Sequence, residues 1–131
     1  MAVFFPGGKK VNSTYRGFTV ETDQPTEDGG DGTAPEPYDL FLASIGTCAG
    51  VYVVYFCHER GIDTSGLKMT VQFEKNEKTH LIEEVRIHID LPPEFPEKYK
   101  SAVVRTAGLC TVKRSLVDPP RFEIHADIQN G

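Results

Sequence analysis

From Leu40 to Cys57 the chain carries no charged side chain over 18 consecutive positions, and this run constrains the fold more than any other feature. An apolar helix of that length reaches the lower limit for crossing a bilayer. The run also holds Ser44, Gly46, Thr47, Gly50 and two tyrosines, and strand-like segments flank it on both sides. Those neighbours favour the alternative, a helix apolar all round at the centre of a folded core, with no membrane partner. Pro37 suits the first turn, where its missing N–H has no intrahelical partner to lose, and Asp39 complements the helix dipole there. His58 and Arg60 occupy the last turn and Gly61 supplies a left-handed stop. The signals predict a helix from about Pro37 to Arg60, roughly 36 Å long. Gly46 and Gly50 share a stripe, which predicts a close crossing by a second helix or by a symmetry mate.

Short runs rich in Val, Phe, Thr and Tyr precede this helix between Ala2 and Thr22, and they predict two or three antiparallel strands, with Gly7-Gly8 as a hairpin turn. Residues 23–36 gather Gly and Pro around acidic side chains and read as a loop. Beyond the helix, Leu67, Met69, Val71 and Phe73 alternate with polar residues, as do Val85, Ile87, Ile89 and Leu91. The two runs predict a hairpin around Glu74 to Lys78. Glu94 to Leu109 reads as an amphipathic helix with Tyr99, Val103, Ala107 and, at its end, Leu109 inward. A short helical segment follows Cys110 as far as Leu116, and Arg121 to Ile128 alternates as a closing strand. The order is β-β-β-α-β-β-α-β, an α+β fold, and at 131 residues it makes a single domain, 1–131.

The formal net charge of −5 and the scattered basic residues exclude nonspecific nucleic-acid binding, which needs clustered Lys and Arg. The N-terminus lacks the basic start and the length of a signal peptide, so the expected address is cytoplasmic. No Cys/His cluster has metal-ligand spacing, the four histidines are dispersed, and no phosphate-binding loop or hydrolase motif is present; no metal and no bound cofactor is implied.

The chemistry then rests on cysteine. Three is an odd number, at spacings of 9 and 53, unlike a secreted disulfide framework. Cys48 and Cys57 cannot bridge, because nine residues of helix set them roughly 13 Å apart. Cys48 with Cys110 is the natural pair if the chain brings position 110 beside the helix. Cys110 is followed closely by Lys113 and Arg114 and precedes a short helix, where an anion is favoured. Cys48 is mid-helix in apolar surroundings and needs an outside cation, Arg16 or Arg114. The bland alternative is that a helix cysteine is a small inert hydrophobe, as expected for Cys57.

Four segments carry a family resemblance: Gly30-Asp31-Gly32-Thr33-Ala34-Pro35; Pro37 to Ser44 running into Cys48; the long helix ending at Arg60-Gly61; and Cys110-Thr111-Val112-Lys113-Arg114-Ser115-Leu116. With the order of elements, the chain resembles the OsmC/Ohr family, the osmotically inducible and organic-hydroperoxide-resistance proteins, in a less characterised OsmC-like branch. The resemblance implies an intertwined α+β homodimer with antiparallel sheets around the cysteine helices. It implies a thiol-dependent reductase of small hydroperoxides, recharged by an external dithiol, in oxidative-stress defence. By the same likeness Cys48 matches the attacking cysteine, Cys110 the resolving one and Arg16 the arginine that holds the thiolate, with Tyr38, Asp39 and Arg114 as auxiliary candidates. Tyr38 stands where peroxidase members carry a glutamate. The competing expectation is a noncatalytic protein of the same fold, binding an apolar or acyl ligand at the dimer interface.

Overall fold

The computed structural model describes residues 1–130 and divides into two compact units, Met1–Ile45 and a second beginning at Gly46. The first opens with an antiparallel meander, β1 (Ala2–Gly7), β2 (Lys10–Tyr15) and β3 (Phe18–Val20), in the order β1-β2-β3. Tyr15 pairs with Phe18, so only Arg16 and Gly17 make the turn between β2 and β3. Both have positive φ, 51° and 80°, the geometry that matches the twist of a two-residue hairpin.

The loop from Thr22 to Pro35 holds a short 3₁₀ turn at Thr26–Asp28 and several backbone hydrogen bonds, and one carboxylate ties its two ends together. Asp23 is wholly buried. Its Oδ2 accepts from the Thr33 backbone N–H at 3.1 Å and the Thr33 hydroxyl at 2.7 Å, and its Oδ1 from the Gln24 N–H at 2.8 Å. Lys10 Nζ lies 3.8 Å away and also pairs with Asp31. These donors hold the Asp23 carboxyl down at about 2, the Thr33 hydroxyl contributing most, against the opposing effect of burial. Gly30 is obligatory within this loop: a Cβ there would lie 2.0 Å from the Gln24 carbonyl oxygen.

Helix α1 (Pro37–Glu59) runs on across the unit boundary and matches the predicted bounds to within a residue. Asp39 Oδ2 accepts from the Glu36 N–H at 3.2 Å, tying down the chain at the helix start. At the far end Gly61 (φ 65°) donates to the His58 carbonyl and Ile62 to the Cys57 carbonyl, a Schellman closure. Arg60 adds Nη1 to the Phe56 carbonyl at 3.0 Å and lies over the Phe56 ring at 3.7 Å. The helix is long and apolar enough to span a membrane, and 28% of its most apolar window is buried within this one chain. Val51 and Tyr55 remain exposed, so the helix is not apolar-buried all round as predicted.

The second unit lays a hairpin, β4 (Lys68–Lys75) and β5 (Ile82–Asp90), against that helix. Met69 pairs with Ile89, Val71 with Ile87 and Phe73 with Val85, which puts the predicted apolar residues on one face. The glycine stripe meets this hairpin and not a second helix. A Cβ on Gly46 would stand 3.0 Å from Val71 Cγ2, and one on Gly50 3.7 Å from Met69 Sδ. Strand residues two apart project from the same face, so Met69 and Val71 together fill the groove left by two glycines four apart.

Three further expectations are corrected. The helix predicted from Glu94 begins later, as α2 (Lys100–Ala107), after a short 3₁₀ turn at Glu97–Tyr99. Pro96 disfavours helical backbone at Phe95, whose ring turns into the core instead. Val103 and Ala107 face inward as predicted, but Leu109 lies past the helix end and is exposed. Finally, Arg121 to Ile128 forms no strand, and Phe122, Ile124 and Ile128 are 80–97% exposed. An alternating segment becomes a strand only on a ladder partner, and among the described residues the segment after Pro119-Pro120 pairs with none. The core of the unit is one cluster: Ala49, Val53, Phe56 and Cys57 of α1, Phe95, Val103, Ala107 and Cys110.

Candidate functional site

The three thiols are free, and the structure treats them differently. Cys57 is fully buried in the last turns of α1, and burial pushes its thiol up, against a smaller opposing pull from Arg60. Cys48 is half-buried, about two and a half turns earlier in the helix, and packs against the core cluster from outside. Cys110 is a member of that cluster, 1% exposed. The second unit therefore brings Cys48 and Cys110 to one apolar cluster, contributed by residues 62 positions apart in sequence.

Cys110 ends the turn after α2 and caps α3 (Thr111–Val117). Its backbone is extended (φ −60°, ψ 145°), as a helix cap requires, and the Lys113 N–H donates to its sulfur at 3.4 Å. α2 ends at Ala107, Gly108 and Leu109 form the turn that follows, and Thr111 opens a fresh helix. The next residue makes the link between elements: Thr111 Oγ1 is 2.9 Å from the Tyr52 hydroxyl on α1. Tyr52 lies four residues after Cys48, on the same helix face. Arg114 Nη2 donates to the same Thr111 Oγ1 at 3.4 Å, and the Ser115 hydroxyl donates to the Thr111 carbonyl at 2.9 Å.

Arg114 thus belongs to the hydrogen-bond chain beside Cys110. Arg16, Tyr38 and Asp39 belong to the first unit. Arg16 is exposed in the β2–β3 turn, its guanidinium 5.2 Å from the centre of the Tyr15 ring. Tyr38 is half-buried with its ring 5.6 Å from that of Phe41, and Asp39 is the exposed helix-start acceptor for the Glu36 N–H. Sequence reasoning gives neither Tyr52 nor Thr111 a part in the thiol chemistry, and places Tyr52 only in an aromatic set, with Tyr38, Phe41, Tyr55 and Phe56, of core or pocket-lining residues. The signal for Tyr52 was its i+4 spacing from Cys48; nothing local marks Thr111 as its partner. Among the described residues no group of three His, Cys, Asp or Glu side chains could hold a metal ion.

Two thiols at one apolar cluster, one of them partly open to solvent, are suited to two-electron sulfur chemistry: oxidation of one sulfur and capture by the other. An open depression of about 610 Å³ runs along α3, lined by Gly108, Thr111, Lys113, Arg114, Ser115, Val117 and Asp118.

Comparison with known proteins agrees with this architecture. The sequence pattern of the family described as OsmC-like protein matches residues 30–125. No curated protein is significantly similar in sequence. Among solved structures, an osmotic stress induced and detoxification response protein of Psychrobacter arcticus 273-4 is 24% identical, with a TM-score of 0.74 over 87% of this chain and 85% of that one. An organic hydroperoxide resistance protein OsmC from Legionella pneumophila, described as a predicted redox protein, is 20% identical, with a TM-score of 0.54 over 88% and 85%. At these identities the likeness establishes the fold.

Proposed function

The chain belongs to the OsmC-like protein family, and on that premise we propose that it is a thiol-dependent hydroperoxide reductase using Cys48 and Cys110. The observation that carries this reading is the shared cluster: Cys110 lies within it, Cys48 packs against it, and the Tyr52–Thr111 hydrogen bond ties their two elements together.

In the proposed cycle the Cys48 thiolate attacks the terminal oxygen of a small hydroperoxide. The O–O bond breaks, sulfur is oxidised to the sulfenic acid, and the alkoxide leaves and is protonated to the alcohol. Cys110 then attacks the Cys48 sulfur; a disulfide forms, the S–O bond breaks, and water departs with the thiol proton. An external dithiol reduces the disulfide and is itself oxidised. Half-burial of Cys48 suits the first role, since the peroxide must reach it, and deep burial of Cys110 suits the second, which needs no solvent access. Arg16 and Arg114 are the candidate cations for the thiolate. Arg114 has the additional support of its bond to Thr111. Free thiols throughout fit a reducing, cytoplasmic setting.

The protein acts in this reading as a homodimer. Supporting it are the exposed apolar side of α1 at Val51 and Tyr55, the exposed Phe5 and Phe18 of the meander, and the unladdered apolar residues Phe122, Ile124 and Ile128. A second copy would cover such surface and supply the segment 121–128 with a strand partner.

One observation favours a second reading. Tyr38 stands where peroxidase members of the family carry a glutamate, and with Phe41 it makes an aromatic patch. A noncatalytic member binding an apolar or acyl ligand would keep such a patch without using the thiols.

The discriminating test is rapid-quench consumption of cumene hydroperoxide and hydrogen peroxide by reduced protein, beside Cys48→Ser and Cys110→Ser. The reductase reading expects stoichiometric consumption abolished in Cys48→Ser, with a Cys48–Cys110 disulfide found by mass in the wild type only. In Cys110→Ser the first equivalent of hydroperoxide leaves an unresolved Cys48 sulfenic acid, and a second equivalent carries it to the sulfinate. Consumption no faster than that of a free thiol would leave the ligand-binding reading.

A further inference from the structure

We propose that Tyr52 is the positioning residue for disulfide closure: its hydroxyl, held by Thr111, keeps the Cys48 turn of α1 in register with Cys110. The inference rests on the paired-thiol reading above and names a residue for its second step.

A disulfide tolerates little error, because its Cα atoms must lie within roughly 4.4–6.8 Å of each other and its torsion is specific. Cys48 and Cys110 come from separate elements, a helix and a helix cap, so something must fix the two against sliding. Apolar packing alone resists separation but is weakly directional. The Tyr52–Thr111 bond is directional, at 2.9 Å, and joins the residue four after one thiol to the residue immediately after the other. Side chains on a helix lean toward its N-terminus, so Tyr52 covers the turn that bears Cys48.

The Thr111 end of this clasp is itself anchored. Its hydroxyl also accepts from Arg114 Nη2, and its carbonyl accepts from the Ser115 hydroxyl. Since Arg114 donates to the threonine oxygen, that hydroxyl still has its proton to give to Tyr52, or a lone pair to accept the phenol's. Tyr52 is half-buried and packs on the same cluster as Cys48, while Thr111 is exposed, so the bond bridges the edge of the cluster at the surface. Phenylalanine at 52 keeps the ring packing and removes only the directional element.

The step concerned is the attack of the Cys110 thiol on the Cys48 sulfenic acid: the S–S bond forms, the S–O bond breaks, and the hydroxyl leaves as water with the thiol proton. Loss of the clasp slows this step and lengthens the life of the sulfenic acid.

The test uses the full chain with Tyr52→Phe, Thr111→Val and Thr111→Ser. Each reduced protein is equilibrated with oxidised dithiothreitol, which needs no peroxide, and the Cys48–Cys110 disulfide is quantified by mass after acid quench. Tyr52→Phe and Thr111→Val are expected to lower the equilibrium constant for closure about threefold, the worth of one exposed hydrogen bond. Thr111→Ser, which keeps the hydroxyl, is expected to match the wild type. Where peroxide oxidises Cys48, the dimedone-trappable sulfenate persists about threefold longer in the first two variants, the same hydrogen bond being lost. Closure in both variants equal to wild type overturns the inference, as does a loss of thermal midpoint with closure unchanged, which marks Tyr52 as structural only. A wild type that forms no disulfide with oxidised dithiothreitol overturns it as well. A wild type that closes with dithiothreitol but consumes no hydroperoxide removes the reductase reading and leaves the clasp standing.

Discussion

Each compact unit contains a fully buried group that organises irregular backbone, Asp23 in one and Cys110 in the other, and the two are secured by opposite means. Asp23 is charged, so burial is tolerable only because its oxygens accept from Thr33 twice and from Gln24, with Lys10 nearby. Cys110 costs little to bury. It packs among apolar neighbours and receives one long N–H···S contact from Lys113. The difference teaches where chemistry is available. A carboxylate whose lone pairs are saturated is committed to holding its loop, whereas a thiol held by packing keeps its sulfur for reaction. The thiol region then needs a directional contact from elsewhere, and the Tyr52 hydroxyl supplies one.

The comparison can be broken most severely at Gly30. Alanine there forces a Cβ to 2.0 Å from the Gln24 carbonyl, and because the obstacle is backbone, the loop must deform. We expect a loss of about 3 kcal/mol in urea unfolding, at the upper end for overpacking. Next comes acid. The folded Asp23 carboxyl titrates at about 2 against an ordinary value of 3.8, so its contribution is complete above 3.8 and drains away as pH falls toward 2. Wild type should lose stability through that window, while Asp23→Asn, already weaker at neutral pH, should show a flatter acid limb when urea midpoints are compared.

The apolar side of the comparison predicts smaller losses. Gly46→Ala meets Val71 Cγ2 at 3.0 Å, a side chain that yields by a few tenths of an ångström, and should cost about 1 kcal/mol. Cys57→Ala removes a buried sulfur from the cluster and should also cost about 1 kcal/mol or less in thermal or urea unfolding, with peroxide consumption unaltered. A large fall in consumption there would mean that the third thiol is not merely packing, and the contrast between inert and reactive buried sulfur would need redrawing.

Local signals explain what was readable in advance. The bounds of α1 followed from Pro37, Asp39 and Gly61, whose effects operate within a turn of where they stand. The hairpin of β4 and β5 followed from period-two alternation, and its register places the same residues on one face. The short helix after Cys110 was legible as well, though not that Cys110 caps it. What failed depended on partners. The glycine stripe announced a close approach but not by what, and a strand pair fills it. The alternation at residues 121–128 announced a strand but not its partner, and among the described residues the segment pairs with no edge. The late start of α2 was recoverable, since Pro96 was visible and its effect on the preceding residue is steric.

The sequence by itself determined the length and ends of the central helix, the two faces of the hairpin and the pair of cysteines worth attention, because propensity, capping and periodicity act between residues near in the chain. Only the tertiary structure decided that Cys110 enters the cluster against which Cys48 packs, that Tyr52 reaches Thr111, and that Asp23 gathers its loop around a buried charge. Those contacts join residues 10 to 62 positions apart, and their geometry follows from how whole elements pack, which no local pattern encodes.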